Sequence, residues 1–351
     1  MGELSAAEAK KIERLGEVAE KVRTQLRKKI VGLDGVIDDL LIAIFAQGHT
    51  LLVGAPGLAK TLLVSSLAQS LSLDFRRIQF TPDLMPSDIT GAELIAPDPV
   101  TKERKFVFQP GPIFANVVLA DEINRTPPKT QAALMEAMEE RQVTSGGKKY
   151  PLDPPFFVLA TQNPIEQEGT YPLPIAQLDR FMFMTNVDYP TADEEYDIVR
   201  LTTSGYNATL EPLVTKEEIL DLHQVVRKVQ LKDDVIRYAM DLVRRSRVRT
   251  KDAPPFVREW LSWGAGPRAT QFLLLGAKSR AMLRGRADVR PGDVRAVAPA
   301  VLRHRILPSY HAEAEGVTAD DIVSELLETT PAPDGRGTPA RKKGLLASLF
   351  G

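Results

Sequence analysis

The amino-acid sequence predicts an α/β layered domain, with a parallel sheet between helices, followed by an all-helical domain. Three short apolar runs, at 50–53, 116–120 and 156–160, are flanked by polar or turn residues. They are rich in aliphatic, β-branched or aromatic side chains, which is typical of buried parallel strands. Helical patterns separate the runs, and this alternation indicates a layered sheet. After residue 190 only helical patterns follow.

The predicted elements divide the chain into four segments: an N-terminal helix at 1–29, the α/β domain at 30–190, the helical domain at 191–330 and a tail at 331–351. Helices are predicted at 3–29, 35–47, 61–68, 130–140, 216–229, 233–249, 268–284 and 291–303. The Pro- and Gly-rich run 331–340 predicts a flexible linker. The apolar tip beyond it could dock on a protein groove as a short helix or remain frayed.

Composition limits the cellular location. The 351 residues include no cysteine, which rules out disulfides and thiolate metal sites and fits a reducing cytoplasm. No apolar run approaches the roughly 20 residues that span a bilayer, and the charged N-terminus does not resemble a secretory signal. We therefore expect a cytoplasmic protein without a transmembrane segment.

The charges are segregated along the chain, although the net charge is only −1. Residues 166–221 carry 12 acidic and 3 basic side chains, whereas residues 227–305 carry 19 basic and 7 acidic ones. Residues 311–330 carry 6 acidic and no Lys or Arg side chains. These stretches could meet across a subunit interface, hold phosphates, contact nucleic acid, or form solvated helix faces that merely differ in sign.

A phosphate-binding loop is indicated between the first strand and the helix after it, where the context suits such a loop. The segment consists of Gly54, Ala55, Pro56, Gly57, Leu58, Ala59, Lys60 and Thr61. Lys60 would reach the β- and γ-phosphates of ATP, and the Thr61 hydroxyl would ligate Mg²⁺. Ala59 stands where the pattern has Gly. Because alanine suits a first helical turn, we expect a functional site rather than a simple turn before a helix.

Two adjacent carboxylates, Asp121 and Glu122, follow the predicted strand at 116–120. Asp121 would hold Mg²⁺ through its water shell, and Glu122 would act as the general base on the attacking water. Such a pair could also cap a helix. Its position about 60 residues after a phosphate loop favours ATP hydrolysis.

Three further residues fit this chemistry. Asn163 lies just beyond the strand predicted at 156–160, at the sheet edge where α/β proteins place ligands, and its amide could orient water. Arg180 and Arg268 are candidate cations for the charge of the transition state, although either could form a surface salt bridge instead.

At this point the sequence resembles a known family. The segments GAPGLAKT, LADEINRTPPKTQAALMEAMEERQVT, ATQNPIEQEGTYPLPIAQLDRF and GPRAT are similar to those of MoxR-family AAA+ ATPases, over about residues 30–305. The resemblance implies a P-loop AAA+ core with a helical lid, assembled as a ring that is usually a hexamer. It implies that Asn163 is the sensor-1 residue, Arg180 the arginine finger and Arg268 the sensor-2 residue.

The resemblance also implies chaperone-like remodelling of protein clients together with a partner that contains a von Willebrand factor A domain. Relatives carry a β-hairpin after the second strand, which residues 88–111 can supply here. Two other functions remain open: a nucleic-acid motor or loader, because the lid is basic, and a scaffold that uses ATP only for assembly. The basic run lacks the interleaved aromatic residues typical of nucleic-acid binding.

Overall fold

The computed structural model describes residues 5–97, 104–165, 169–205 and 208–334. The strands are β1 (Thr50–Val53), β2 (Phe75–Gln79), β3 (Gly91–Pro97), β4 (Arg104–Pro110), β5 (Val117–Asp121), β6 (Gln142–Ser145), β7 (Lys148–Pro151), β8 (Phe157–Gln162), β9 (Phe183–Asn186), β10 (Leu261–Trp263) and β11 (Leu307–Pro308). The helices are α1 (Ala6–Leu26), α2 (Asp34–Phe45), α3 (Lys60–Ser70), α4 (Pro86–Thr90), α5 (Pro128–Glu140), α6 (Ile175–Leu178), α7 (Ala192–Thr203), α8 (Lys216–Lys228), α9 (Asp233–Arg245), α10 (Pro255–Trp260), α11 (Pro267–Leu283), α12 (Pro291–Leu302), α13 (Tyr310–Ala314) and α14 (Ala319–Thr329). The C-terminal tip, most of the linker before it, and residues 166–168 of the acidic stretch lie outside the described residues.

A five-stranded parallel sheet in the order β2-β5-β8-β1-β9 forms the centre of the first domain. The three strands predicted from apolar runs are confirmed as β1, β5 and β8. β5 is buried along its whole length. Because all five strands are parallel, the ends of β1, β5 and β8 lie at one edge of the sheet, and the candidate site is built there.

Two antiparallel hairpins, β3–β4 and β6–β7, extend from this domain. The first is the hairpin expected within residues 88–111, and residues 98–103 between its two strands lie outside the described residues. The hairpins are joined by Phe108 of β4, which stacks on Tyr150 of β7 with ring centroids 3.8 Å apart. Farther along the first hairpin, Ile95 and Phe106 pair across the strands and are 60% and 70% exposed.

The second domain is mainly helical, and the four helices predicted in it correspond to α8, α9, α11 and α12. One feature corrects the expectation of helices alone: β10 and β11 pair antiparallel, with Leu261 opposite Pro308. The two strands have three and two residues, which is too short for an alternating pattern to be visible in the sequence. Helices α7 to α14 otherwise form the lid.

The N-terminal helix α1 packs on both domains. It begins at a capping box formed by Ser5 and Glu8, and it contacts α3 of the first domain together with α8 and α11 of the lid. Gly16 allows close approach, because a Cβ there would lie 3.0 Å from the backbone nitrogen of Gly285. The buried residues of α1, the first domain and the lid form one continuous hydrophobic cluster. In the described ranges, no helix has the length and apolar character needed to cross a bilayer.

Candidate active site

The loop between β1 and α3 has the backbone of a phosphate-binding loop. Gly57 has a positive φ of 83°, which a residue with a side chain adopts less readily. Gly54 meets a packing requirement, because a Cβ there would lie 2.4 Å from the carbonyl oxygen of Val187. The loop therefore depends on glycine for two different reasons.

Ala59 does not lie in the first helical turn, so the reason given above for tolerating alanine at this position is wrong. The helix begins at Lys60, and Ala59 stands just before it with φ 53° and ψ 20°, in the left-handed region. Glycine reaches this conformation without steric cost, which explains why the pattern has Gly at this position. In this chain an exposed alanine adopts it.

Lys60 is half-buried and folds back over its own loop. Its Nζ donates hydrogen bonds to the carbonyl oxygens of Gly54 and Ala55, at 2.6 and 2.7 Å. Burial lowers the pKa of the Lys60 amine, while the neighbouring carboxylates of Asp121 and Glu122 act in the opposite direction. The amine therefore lies within electrostatic reach of both carboxylates.

Asp121 and Glu122 are where the sequence predicted them, at the end of β5. Oδ1 of Asp121 accepts a hydrogen bond from Thr161 Oγ1 at 2.5 Å, and Oδ2 accepts two from Arg77, at 2.9 and 2.7 Å. Glu122 has a left-handed backbone, with φ 57° and ψ 49°, which turns the chain away from the strand. The two neighbouring carboxylates have different side-chain partners, although both line the same cavity.

The Glu122 carboxylate is held by side chains on both sides. Its Oε2 accepts hydrogen bonds from Gln79 Nε2 at 2.9 Å and from Arg125 Nη1 at 3.1 Å. The backbone N–H of Glu122 donates to Thr161 Oγ1 at 2.8 Å. Thr161 thus connects both acidic residues to β8.

Asn163 follows β8 and is only 5% exposed. Its Oδ1 accepts a hydrogen bond from the backbone of Ile165 at 3.1 Å, which directs the amide nitrogen the other way. That buried Nδ2 has no hydrogen-bond partner within the part of the chain that the structure describes. An orphaned buried donor is costly, so it indicates a position where a ligand or water would accept a hydrogen bond.

These side chains surround one cavity of about 430 Å³. It is lined by Pro56, Gly57, Leu58, Ala59, Lys60, Thr61, Leu62, Arg77, Asp121, Glu122, Thr161 and Asn163. A lysine, the N-terminus of α3 and the free amide suit phosphate oxygens, while a carboxylate and a hydroxyl are oxygen ligands that Mg²⁺ prefers. The residues present therefore fit ATP and Mg²⁺.

Arg180 and Arg268 lie elsewhere. Both contact Glu139: Arg180 Nη2 is 2.6 Å from Oε2, and Arg268 Nη2 is 3.5 Å from Oε1. Both arginines also line a second cavity, of about 210 Å³, which shares no lining residue with the first. The structure thus brings Lys60, Asp121, Glu122 and Asn163 together and leaves the two arginines at another cavity.

The residues that sequence reasoning missed include Arg77 and Thr161, which line the first cavity, and Gln79, which contacts Glu122. Arg77 and Gln79 belong to β2, whose run Phe75–Gln79 contains two arginines and a glutamine and so lacks an apolar strand signal. Thr161 lies within β8, two residues before Asn163. Their positions become visible only when the strand order places β2 and β8 on either side of β5.

Two known domain families match the chain. The family described as "ATPase family associated with various cellular activities (AAA)" matches residues 49–183, and the AAA lid domain matches residues 256–326. The chain is 39% identical to Chaperone MoxR1 of Mycobacterium tuberculosis, over 91% of this chain and 84% of that protein. It is 30% identical to Protein MoxR of Methylorubrum extorquens, over 90% of this chain and 96% of that protein.

A solved structure agrees with this relationship. The crystal structure of a protein from Cytophaga hutchinsonii, provisionally described as an ATPase, matches with a TM-score of 0.83 and 41% identity. The match covers 91% of this chain and 96% of that one. The fold expected from the sequence, an α/β AAA core followed by a helical lid, is therefore confirmed. The chain is a member of the MoxR family of AAA ATPases, and so an ATP hydrolase.

Proposed function

We propose that the chain is one subunit of a homo-oligomeric ring, with a hexamer as the expected size, that hydrolyses ATP to remodel or mature protein clients. One observation carries this proposal. Arg180 and Arg268, the two cations that suit the charge of the transition state, lie at a cavity separate from that of Lys60. Cations so placed can serve a nucleotide bound by a neighbouring subunit.

Within one subunit, residues 54–61 would hold the phosphates of ATP. The Lys60 amine would replace its hydrogen bonds to the carbonyl oxygens of Gly54 and Ala55 by hydrogen bonds to phosphate oxygens. The new bonds would be stronger because the phosphate oxygens are charged. Thr61 and Asp121 would hold Mg²⁺, which neutralises negative charge on the phosphates when bound.

The water that attacks the γ-phosphate would be activated and oriented by two side chains. Glu122 would accept its proton, and Gln79 and Arg125 orient that carboxylate. Asn163 would use its unpaired Nδ2 to fix the position of the water. Each role follows from a donor or acceptor that already faces, or borders, the same cavity.

Arg180 and Arg268 would act in trans. Arg268 lies in the first turn of α11, where the helix dipole disfavours a cation. It is offset there by two carboxylates, Glu139 and Asp179, each at 3.5 Å. Arg268 on the lid therefore lies in an unfavourable position and close to a second cation, Arg180 on the core. This placement is consistent with one anion that both arginines would bind.

The trans assignment can be tested by mixing two inactive variants. A site needs its own Glu122 and the neighbour's Arg180, so Arg180→Ala and Glu122→Gln should each be inactive alone. Mixed under demonstrated subunit exchange, they should regain part of the ATPase rate, because some interfaces then combine an intact Glu122 with an intact Arg180. A mixture that stays inactive would place Arg180 in cis or in a structural role.

The client-binding part of the proposal rests on the β3–β4 hairpin, which presents Ile95 and Phe106 to solvent. Exposed apolar side chains on a hairpin suit contact with another protein. A protein with a von Willebrand factor A domain is the expected partner, as the family resemblance implies. Phe106→Ser should keep the basal ATPase rate and lose capture of that partner by an ATP-trapped Glu122→Gln ring. Equal capture with and without Phe106 would remove the hairpin from this role.

A nucleic-acid motor receives less support, because several basic residues of the lid are already paired within the chain. Arg280 and Arg286 contact the buried Asp293, and Arg303 contacts Asp320. The Arg303–Asp320 pair also brings the acidic segment 311–330 against the basic stretch of the same subunit. Cytoplasmic location remains a prediction from composition.

A further inference from the structure

Arg77 lies on β2 beside the carboxylate assigned to magnesium. In the register of β2 and β5, Gln79 is opposite Asp121, so Arg77 is the diagonal neighbour of Asp121 on the same face. The Arg77 guanidinium directs Nε and Nη2 at one oxygen, Oδ2 of Asp121, at 2.9 and 2.7 Å. It also donates to Gln79 Oε1.

The Asp121 carboxylate is well satisfied by these contacts. Oδ2 accepts two hydrogen bonds from Arg77, and Oδ1 accepts one from Thr161. An ionised carboxylate offers about four acceptor positions, so three are filled. The Asp121 side chain is only 11% exposed, and a charge so enclosed requires a partner.

Arg77, in contrast, is partly exposed to solvent. Its side chain is 47% exposed, and it lines the same cavity as Lys60. When a phosphate is bound in the cavity, a guanidinium that leaves Asp121 would find a second partner in the phosphate oxygens. A guanidinium can form a pair of parallel hydrogen bonds with a carboxylate or with a phosphate, but it cannot form such a pair with both at the same time through the same N–H groups.

We propose that Arg77 and Mg²⁺ compete for the carboxylate of Asp121, so that the metal gains Asp121 only when a phosphate draws Arg77 away. This inference rests on the proposed role of Asp121. Arg77 is then a positioning residue: it makes metal entry depend on the nucleotide, so the two bind together. Mg²⁺ requires about six ligands, of which Thr61 would supply one directly and Asp121 would hold others as water, so phosphate oxygens are needed to complete the set.

The test measures binding of Mn²⁺ alone, as a substitute for Mg²⁺, by electron paramagnetic resonance of the free ion without nucleotide. Arg77→Gln should bind Mn²⁺ at least about tenfold more tightly than the wild type, the order of effect that a charge within about 4–6 Å has on a carboxylate. Arg77→Lys, which keeps a cation near Asp121, should bind as weakly as the wild type. The double variant Arg77→Gln, Asp121→Asn should lose the gain.

Arg76→Gln is the matched control. Arg76 is exposed on the opposite face of β2, and its replacement by glutamine removes the same charge. Equal Mn²⁺ affinity in Arg77→Gln and the wild type would overturn the proposal. So would an equal gain in Arg76→Gln, or a gain that survives Asp121→Asn.

A separate measurement distinguishes failure of the proposed function. If Asp121→Asn alone leaves the Mg²⁺ dependence of fluorescent ATP-analogue binding unchanged, Asp121 does not hold the metal. The inference about Arg77 would then fall with that assignment. Alternatively, Asp121→Asn could weaken the Mg²⁺ dependence of analogue binding while Arg77→Gln leaves the Mn²⁺ affinity unchanged. In that case Asp121 holds the metal, and only the proposed competition between Arg77 and Mg²⁺ is wrong.

Discussion

Arg180 Nη2 lies 2.6 Å from Oε2 of Glu139, and the other oxygen of that carboxylate faces Arg268. Glu139 is in the last turn of α5, Arg180 follows α6, and Arg268 is in the first turn of α11. One carboxylate therefore joins two cations that belong to different domains. Without it, two like charges would repel each other.

Replacing Glu139 should impair hydrolysis without affecting nucleotide binding. Glu139→Ala releases both guanidinium groups from their shared orientation, and misplacement of a positioned group by about 1 Å costs up to about 100-fold in rate. We expect kcat of the assembled protein to fall about 10- to 100-fold, with an unchanged Kd for a fluorescent ATP analogue. Glu140→Ala, the exposed next residue, should retain the wild-type kcat. Equal effects of the two substitutions would show that Glu139 has no positioning role.

Glu122→Gln should bind ATP and hydrolyse it at least about 100-fold more slowly, because the amide keeps the size of the side chain and cannot accept the proton. Lys60→Ala should lose binding itself, since the cation for the phosphates is gone. Rapid-quench hydrolysis and analogue-binding titrations separate the two effects. Turnover by Glu122→Gln at the wild-type rate would show that another group is the base.

The same substitution, Ala→Gly, should act differently at two exposed positions. In the middle of a helix, at Ala132 of α5, glycine should lower the free energy of unfolding by about 1 kcal/mol. At Ala59 the left-handed backbone costs alanine about 1–2 kcal/mol, which glycine avoids, so Ala59→Gly should leave stability unchanged or slightly higher. Urea denaturation measures both. An equal loss at the two positions would contradict the strained backbone at Ala59.

Stability should decrease as the pH falls below about 6.5. Burial lowers the pKa of His49 to about 3 and that of His223 to about 4, so both stay neutral in the folded chain. The unfolded chain protonates them below about 6.5, and each then reduces the free energy of unfolding by about 1.4 kcal/mol per pH unit. Asp39 opposes this, because burial raises its pKa to about 6 and the folded chain keeps a proton that the unfolded chain releases.

Urea midpoints at pH 7.5, 6.5 and 5.5 check this expectation. The Asp39→Asn variant should show a steeper loss, since the opposing contribution is removed. A midpoint that stays constant over this range would mean that the buried histidines do not control the acid response.

Much of the site could be predicted because its residues follow strands that are recognisable by their apolar runs. Parallel strands end at one edge, so Lys60, Asp121 and Asn163 could be placed together from β1, β5 and β8 alone. Arg77 could not be, because β2 carries charged side chains and gives no strand signal. The backbone of Ala59 was also hidden, since a sequence shows a residue type and not a φ angle. Nor could the placement of Arg268 beside Glu139 be foreseen, as it depends on how the lid packs against the core.

Helix α1 has a mechanical consequence for the work that ATP hydrolysis can do. It rests at once on α3, which begins with Lys60, and on α11, whose first turn contains Arg268. With these helices in one continuous apolar core, bending between core and lid would open close-packed contacts. We therefore expect each subunit to move as a stiff lever. In the proposed ring of such levers, the displacement caused by hydrolysis would occur at the joints between subunits, and force would reach the proposed client through rotation of whole subunits.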